Sequence, residues 1–405
     1  MPEHSPTESS SPSSAVVLAA GEGTRLRPLT ANRPKPMLPA GTRPILEYVL
    51  NAVIEAGVDE IHLVVGYQAS RVRSHFGSTY RDVPLEYHTQ DNQLGSGHAL
   101  LQARDGPDGS FLLVNGDQVI DHRIVEAVRD HHDKQAATLA VVEGSQAPVY
   151  GAVRLNGETI TELVEQPQTG EYRLFNAGVY AFDQTIFERL EALAVDRGSL
   201  PLTDGIGELL KDGQTVAGVR TDEFWMDATH PWDLLTLSRE LLARGWIDLP
   251  ESETNIYVDD SASVHPDATL TGPVAIDQDT VIEAGAVVGP YAAIGENVTV
   301  GANSVLKDVV VDTGTTVGPH TTGIDLVVGQ DCTLKADLTV AGGPADVVLN
   351  DTVHSDIDLG GVIADRVRIG GDATLEAGAL IGPDATVGPG VVVRGTIKAG
   401  SEVVR

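Results

Sequence analysis

The stretch Val16-Val17-Leu18-Ala19-Ala20-Gly21-Glu22-Gly23-Thr24-Arg25-Leu26-Arg27-Pro28 sets an unbroken apolar run directly against a glycine turn that carries two arginines. Short, uninterrupted and bounded by glycine, the apolar half reads as a buried strand. The turn half lets backbone N–H groups come close to a phosphate, which needs residues without side-chain bulk. Arg25 and Arg27 add charge that does not titrate. A second cluster follows at once, Arg33-Pro34-Lys35-Pro36-Met37-Leu38-Pro39. Its prolines stiffen the chain on both sides of Lys35 and hold the ammonium in place. The stretch is not a Walker A loop, since no Gly-Lys-Ser/Thr follows, and it lacks the third glycine of the dinucleotide fingerprint.

The rest of the composition narrows the function classes. At 405 residues the chain is long enough for two domains with buried cores. Acidic residues number 58 against 27 basic, for a net charge of −31. Such a surface repels nucleic acid and anionic membranes, so neither is expected as a partner. The same balance suits solubility in concentrated salt, and a halophilic cytoplasm is the expectation, with a merely acidic protein as the alternative. The single cysteine, Cys332, excludes an intrachain disulfide and sits in an apolar-periodic stretch where packing is its expected role. No window is apolar enough to span a bilayer. Residues 1–14 are rich in Ser, Pro and Glu without a basic start or apolar core, which reads as a disordered tail and not a signal peptide.

Working outward from the opening strand, apolar residues recur at helical spacing from Pro44 to Ala56, and Gly57 ends the pattern. Ile61–Val65, Leu85–Tyr87 and Phe111–Val114 read as further strands, with a helix from Arg71 to Phe76 between the first two. Strands alternating with helices predict an α/β fold with a mostly parallel sheet, of Rossmann-like type, over residues 15–247. Ligands on such sheets sit at the carboxyl ends of strands. Gln90 and the run Leu94-Gly95-Ser96-Gly97 follow the third strand. An amide can pair with a pyrimidine edge and glycines let a base lie against backbone; the alternative is a polar loop in which Ser96 caps the next helix. Asp117 ends the fourth strand, where a carboxylate suits Mg²⁺ or only a turn. The pair His131-His132 lies at the end of an amphipathic helix, and adjacent histidines face different sides, so a solvated surface is expected and not a metal cluster. Pro231 is expected to open a helix running to about Ala243.

Past Ile247 helical spacing vanishes and a six-residue period appears. Val264, Leu270, Ile276, Ile282, Val288, Ile294, Val300 and Leu306 follow without a break. The phase resumes at Val328, Leu334 and Val340, and again at Ile357, Ile363, Ile369, Leu375, Ile381, Val387 and Val393. Three hexads make one triangular coil, with aliphatics inside and small residues such as Ala262, Thr280 and Ser304 at the corners. The prediction over residues 254–405 is a left-handed parallel β-helix. Such a domain serves either as an oligomerisation stalk or as an acyltransferase sited between subunits of a trimer.

The combination Leu-Ala-Ala-Gly-x-Gly-Thr-Arg-Leu-x-Pro-Leu-Thr, then Pro-Lys-Pro-Met-Leu-Pro, resembles the sugar-1-phosphate nucleotidylyltransferases. Pro231-Trp232-Asp233-Leu234-Leu235 particularly resembles the archaeal-type bifunctional subgroup, which joins UDP-N-acetylglucosamine pyrophosphorylase to glucosamine-1-phosphate N-acetyltransferase. The resemblance implies Mg-dependent transfer of a nucleotidyl group from UTP or dTTP to a sugar 1-phosphate, N-acetylglucosamine 1-phosphate before glucose 1-phosphate, with release of pyrophosphate. It implies that Arg25 and Lys35 contact the triphosphate and the transition state. Leu18, Ala20, Gly21, Gly23, Thr24, Gln90, Gly95 and Ser96 would bind the nucleotide. Gly151 (in Tyr150-Gly151), Glu165 and Asn176 would hold the sugar, and Asp117 and Asp227 the Mg²⁺. The subgroup usually has glycine near position 229, where Ala228-Thr229 stand here.

In the second half, Val317-Gly318-Pro319-His320-Thr321-Thr322-Gly323 resembles the segment whose histidine is the general base of acetyl transfer from acetyl-CoA, which makes His320 the candidate base. Departures stand beside it: Gly323 replaces the family's tyrosine, Asp337 replaces its asparagine, the basic–histidine pair is absent, and Ala341-Gly342-Gly343-Pro344 reads as a reshaped loop. A cytoplasmic homotrimer or higher homo-oligomer is implied. The reading of another class is a non-catalytic regulatory subunit that binds sugar nucleotides.

Overall fold

The opening apolar run becomes β1 (Ser14–Ala19), which lies between two parallel neighbours, and Ala15, Val16 and Val17 are fully buried, so both faces of the strand are covered. The computed structural model describes residues 11–404 except 134, 145–150, 166, 168–171 and 195–197, so Tyr150 lies outside the described residues. The elements that follow are α1 (Ile45–Glu55), β2 (Glu60–Val65), α2 (Ala69–Phe76), β3 (Val83–Thr89), α3 (Ser96–Leu101), β4 (Phe111–Asn115), α4 (His122–His131), β5 (Ala137–Glu143), β6 (Ala152–Asn156), β7 (Thr159–Val164), β8 (Leu174–Phe182), α5 (Thr185–Ala194), α6 (Leu202–Lys211) and β9 (Val216–Arg220). One ten-stranded sheet runs in the order β6-β7-β9-β5-β8-β4-β1-β2-β3, with the two-residue strand Thr79–Tyr80 at its edge. β2, β1, β4 and β3 form a parallel set, β9 and β5 a second, and β8 runs antiparallel between β4 and β5. The predicted mostly parallel sheet is therefore present.

The paired histidines divide. His131 is exposed, as expected, but His132 is 7% exposed, with Nδ1 3.1 Å from Thr138 Oγ1. The correction has a simple cause: His132 is the C-cap of α4 with extended backbone, and the chain turning towards β5 carries its ring inward.

The chain divides into two compact units, Met1–Glu22 with Ile45–Met226 and Gly23–Pro44 with Asp227–Arg405. Among the described residues the second unit is a parallel β-helix with one α-helix, α7 (Asp233–Arg244), and the segment Gly23–Pro44, which carries three short 3-10 turns. α7 begins two residues after Pro231 because the Asp233 carboxylate accepts from Thr229 N–H (2.9 Å) and His230 N–H (2.7 Å), closing a turn ahead of the helix.

In the early coils Val264 pairs with Ile282 and Ile282 with Val300, a repeat of 18 residues, three hexads per turn. From Ile294↔Val311 and Val300↔Val317 the repeat is 17, which is why the hexad phase breaks after Leu306. Val328 then pairs with Ile363, and the added length is an antiparallel hairpin, Pro344–Leu349 with Thr352–Asp358. Ile357 accordingly belongs to the hairpin, opposite Ala345, and not to the interior stack; Leu359 is the buried residue that leads back into the coils. The aliphatics from Val274 to Val393 form one continuous core, and Cys332 packs within it. Corner hydroxyls are buried but satisfied: Thr280 donates to Gly295 C=O (2.7 Å), Ser304 to Gly318 C=O (3.0 Å) and Thr315 to Gly329 C=O (2.9 Å).

Candidate functional site

In the first unit the carboxyl ends of β1, β2 and β4 stand side by side. The register sets Leu18 opposite Asn115 on one side and Val64 on the other. Gly116 N–H donates to Leu18 C=O (2.9 Å), and a Cβ at position 116 would stand 2.9 Å from that oxygen, so the turn bearing Asp117 needs glycine to lie against β1. Asp117 is half-buried. Gly21 is exposed, and the preceding Ala20 C=O accepts from Gln93 Nε2 (2.7 Å), while Gln93 Oε1 accepts from Glu22 N–H (3.3 Å). Gln93 therefore braces the glycine turn from the loop after β3.

Gln90 is buried, and its amide donates to Gly95 C=O (3.1 Å) and lies 3.0 Å from His98 Nδ1. Gly95 has φ +103°, and a Cβ there would stand 2.7 Å from Leu200 C=O. Ser96 is the first residue of α3 and does not cap it; Gly95 is the N-cap, and the Ser96 hydroxyl instead accepts from Leu202 N–H (3.0 Å) at the start of α6. The loop is thus held by Leu94, Gly97 and Ser96 against residues 200–202.

The three candidates for the sugar converge. Asn176 N–H donates to Gly151 C=O (2.8 Å), and a Cβ at Gly151 would lie 3.4 Å from Glu165 Oε2. Glu165 is exposed as a residue, but its carboxyl tip is sheltered; burial raises its pKa, with Asp204 adding to the rise and a Thr203 hydrogen bond opposing it. Asn176 lies where the β8–β5 register shifts, and its amide donates to the buried Tyr180 hydroxyl while its carbonyl accepts from Gly178 N–H (3.0 Å). Burial drives the Tyr180 pKa far up, so its phenol stays protonated.

In the second unit Gly23 has φ +65°, and a Cβ there would stand 2.7 Å from Lys35 Cβ. This close approach folds the glycine turn onto the lysine segment, and Thr30 Oγ1 seals it by donating to Gly23 C=O (2.8 Å). Thr24 and Arg25 are exposed. Lys35 is buried, and its ammonium is ion-paired with the Asp227 carboxylate, whose other oxygen is 3.5 Å from Thr229 Oγ1. Two candidates 192 positions apart are so brought into contact.

His320 lies on a corner of the β-helix with φ +59°, in a stack of left-handed residues that includes Asn303, Asp337 and Asp372. Its ring is exposed, with Nδ1 3.4 Å from Asp337 Oδ1 and Nε2 3.5 Å from Asn303 Nδ2.

A family model described as nucleotidyl transferase matches residues 14–244, and one described as the GMPPB C-terminal domain matches residues 270–359. The bifunctional protein GlmU of Methanococcus maripaludis is 32% identical over 410 residues, covering 96% of this chain and 97% of the relative. This chain belongs to the sugar-1-phosphate nucleotidylyltransferase family. The UTP–glucose-1-phosphate uridylyltransferase of Haloferax volcanii is 35% identical over 225 residues, 54% of this chain and 92% of the relative. A crystal structure titled a putative glucose-1-phosphate thymidylyltransferase from Bacillus anthracis shares the fold of the first half, with a TM-score of 0.52 and 24% identity over 59% of this chain and 97% of that one.

As a member of that family the protein is a sugar-1-phosphate nucleotidyltransferase, and the reading as a non-catalytic subunit finds no support among these relatives. No helix among the described residues is long and apolar enough to cross a membrane.

Residue-level reading of the nucleotidylyltransferase signature overlooked Arg33. Its side chain is 1% exposed, ion-paired with Asp312 and, at 3.1 Å, with Asp365 Oδ1. Burial lowers its pKa, but the two aspartates outweigh that and hold it above the ordinary value. Gly329 makes room, since a Cβ there would stand 2.5 Å from Asp365 Oδ1. The segment that carries Lys35 is thereby pinned to the β-helix. Asp312 and Asp365 resemble the many other corner aspartates, so no spacing in the chain singles them out. Gln93 and Asp233 were likewise missed, because one polar residue among several in a loop has no sequence signature.

Proposed function

We propose that the enzyme transfers a uridylyl or thymidylyl group from UTP or dTTP to a sugar 1-phosphate, with N-acetylglucosamine 1-phosphate favoured and glucose 1-phosphate next. The substrate brings its own nucleophilic anion, so the protein has only to align two repelling phosphates and offset developing charge. Arg25 and Lys35 are assigned to the triphosphate and the transition state. Leu18, Ala20, Gly21, Gly23 and Thr24 are assigned to the phosphates and ribose, and Gln90, Gly95 and Ser96 to the base. Gly151, Glu165 and Asn176 are assigned to the sugar.

The observation that carries the reading is the buried ion pair between Lys35 and Asp227. A lysine kept beside a carboxylate is held charged and aimed until an anionic ligand competes for it. Asp117 and Asp227 are each proposed as carboxylates for a divalent cation, the group the family uses, and Mg²⁺ is the ion we infer. The donor set fits: hard carboxylate oxygens suit Mg²⁺, which keeps waters and substrate phosphates as its remaining ligands. When bound, the ion neutralises phosphate charge. The decisive assay is pyrophosphate release with UTP or dTTP crossed with the two sugar phosphates. Turnover with one pair names the product, and Lys35→Ala and Asp227→Ala each lower it by orders of magnitude while the protein stays folded. Near-normal turnover in folded Asp227→Ala removes the carboxylate assignment.

A second activity, acetyl transfer from acetyl-CoA to glucosamine 1-phosphate with His320 as base, is favoured by the Asp337 contact, which orients the ring. Release of the CoA thiol, lost in His320→Ala, tests it, and no release from the wild type ends it. The net charge of −31 supports a cytoplasmic enzyme adapted to high salt, and the β-helix supports a homotrimer. The proposed division is a tail to residue 14, a nucleotidyltransferase domain to 247 and a β-helix domain from 254.

A further inference from the structure

Three side chains in the first unit stand apart from everything assigned so far. β2 and β3 are parallel neighbours, with His62 opposite Glu86 and Val64 opposite His88. Paired residues of parallel strands share a face, as do residues two apart. His62, Glu86 and His88 therefore project together. His62 Nδ1 lies 3.2 Å from His88 Nε2 and 3.4 Å from Glu86 Oε2, and His88 Nε2 lies 3.8 Å from Glu86 Oε1. Three ligands on a tetrahedral zinc at 2.0–2.1 Å stand about 3.3–3.4 Å from one another. The protein thus holds three donors close to the spacing of a zinc site.

A buried atom beside these donors points the same way. His62 is fully buried, and its Nε2 has no hydrogen-bond partner, with the Glu60 carboxylate 3.9 Å away. With a cation on Nδ1, His62 Nε2–H would face Glu60 in the carboxylate–histidine–metal arrangement.

We propose that His62, Glu86 and His88 form a binding site for a single zinc-class divalent cation, separate from the carboxylates assigned to Mg²⁺. Two imidazoles and one carboxylate favour Zn²⁺ over Mg²⁺, which prefers oxygen alone. Glu86, with 57% of its side chain exposed, leaves the fourth position open to water. The cation would clamp β2 to β3 immediately before Gln90, and so stiffen the strand that presents the nucleotide loop.

The test is binding, not turnover. Chelator-treated full-length protein is titrated with Zn²⁺ against a chromophoric chelator, and with Co²⁺, whose visible absorption reports tetrahedral nitrogen and oxygen ligands. The expected result is one ion per chain and a tetrahedral Co²⁺ spectrum. Glu86→Gln and His88→Gln weaken zinc by about 100-fold or more, and Glu60→Gln by about 10–100-fold. Glu86 is exposed, so its variant folds and keeps the comparison valid should His88→Gln not fold. No zinc bound by the wild type, or the same affinity in Glu86→Gln, overturns the site.

Discussion

Replacing Arg33 by methionine keeps most of the side-chain volume and removes the charge, leaving Asp365 and Asp312 at 1% and 9% side-chain exposure without their cation. An uncompensated charge buried to this degree costs about 3–5 kcal/mol. For a cooperative unit of roughly 200 residues each kcal/mol lowers Tm by about 2–4 °C, so the second unit should melt about 6–20 °C earlier. Removing the charges together changes the outcome, because Asn in place of both aspartates keeps an acceptor but no ion. Arg33→Met with Asp312→Asn and Asp365→Asn should recover more than half of the loss. The exposed pair of Arg394 with Glu376, 2.7 Å apart, is the internal control; Arg394→Met should cost at most about 1 kcal/mol, and less in molar salt. Differential scanning calorimetry at low and high KCl reads all three variants. The Arg33 loss should persist in salt, since solvent ions do not screen a buried pair. A drop of under about 2 °C in Arg33→Met, or a triple variant no more stable than the single one, would show that the β-helix does not anchor this segment electrostatically. Lys35 lies two residues on, so turnover should fall in Arg33→Met even at temperatures where it is fully folded.

Other consequences are open to direct measurement. Gly95→Ala forces a left-handed position and sets a Cβ 2.7 Å from Leu200 C=O, so nucleoside triphosphate binding should weaken about 10-fold while the β-helix melts as before; unchanged affinity would separate this loop from the base. Burial pushes the Cys332 thiol up to about 12, and its Sγ lies 3.1 Å from Ala364 C=O, so alkylating reagents at pH 8 should label it only after unfolding. Burial holds His132 below the ordinary histidine pKa, with Asp183 and Asp133 opposing in part. The unfolded chain then takes up the proton first as pH falls through about 6.5, and native stability declines on the acid side of that value but not above it. Urea midpoints between pH 7 and pH 5 should show that slope, and His132→Gln should flatten it; an identical slope would assign the dependence to other groups.

Much of the architecture is local and periodic, and so readable in one dimension. The run Val16–Ala20 is a buried strand because apolar side chains on both faces suit a strand covered on both sides. The six-residue period from Val264 to Leu306 is a β-helix because every sixth side chain must point into the same narrow interior. The glycine turn and the Pro-Lys-Pro segment announce themselves as conformational restrictions, whatever they later touch. Where the chain departs from its period the reading fails: Ile357 keeps the hexad phase by number but lies in the hairpin that interrupts the coils.

Contacts between distant residues are another matter. Sequence alone names Lys35 and Asp227 separately, but not that one neutralises the other. It shows Arg33 beside Lys35, but not that two corner aspartates about 280 and 330 residues further on bury its charge. His62, Glu86 and His88 look like unrelated polar residues until the parallel register of β2 and β3 sets them on one face. Composition and period determine which residues are buried and what shape encloses them, because the hydrophobic effect acts on each residue's own surface. Pairing of charges, donors and ligands depends on angles and on distances of a few ångströms between segments far apart in the chain, and only the folded tertiary structure decides those.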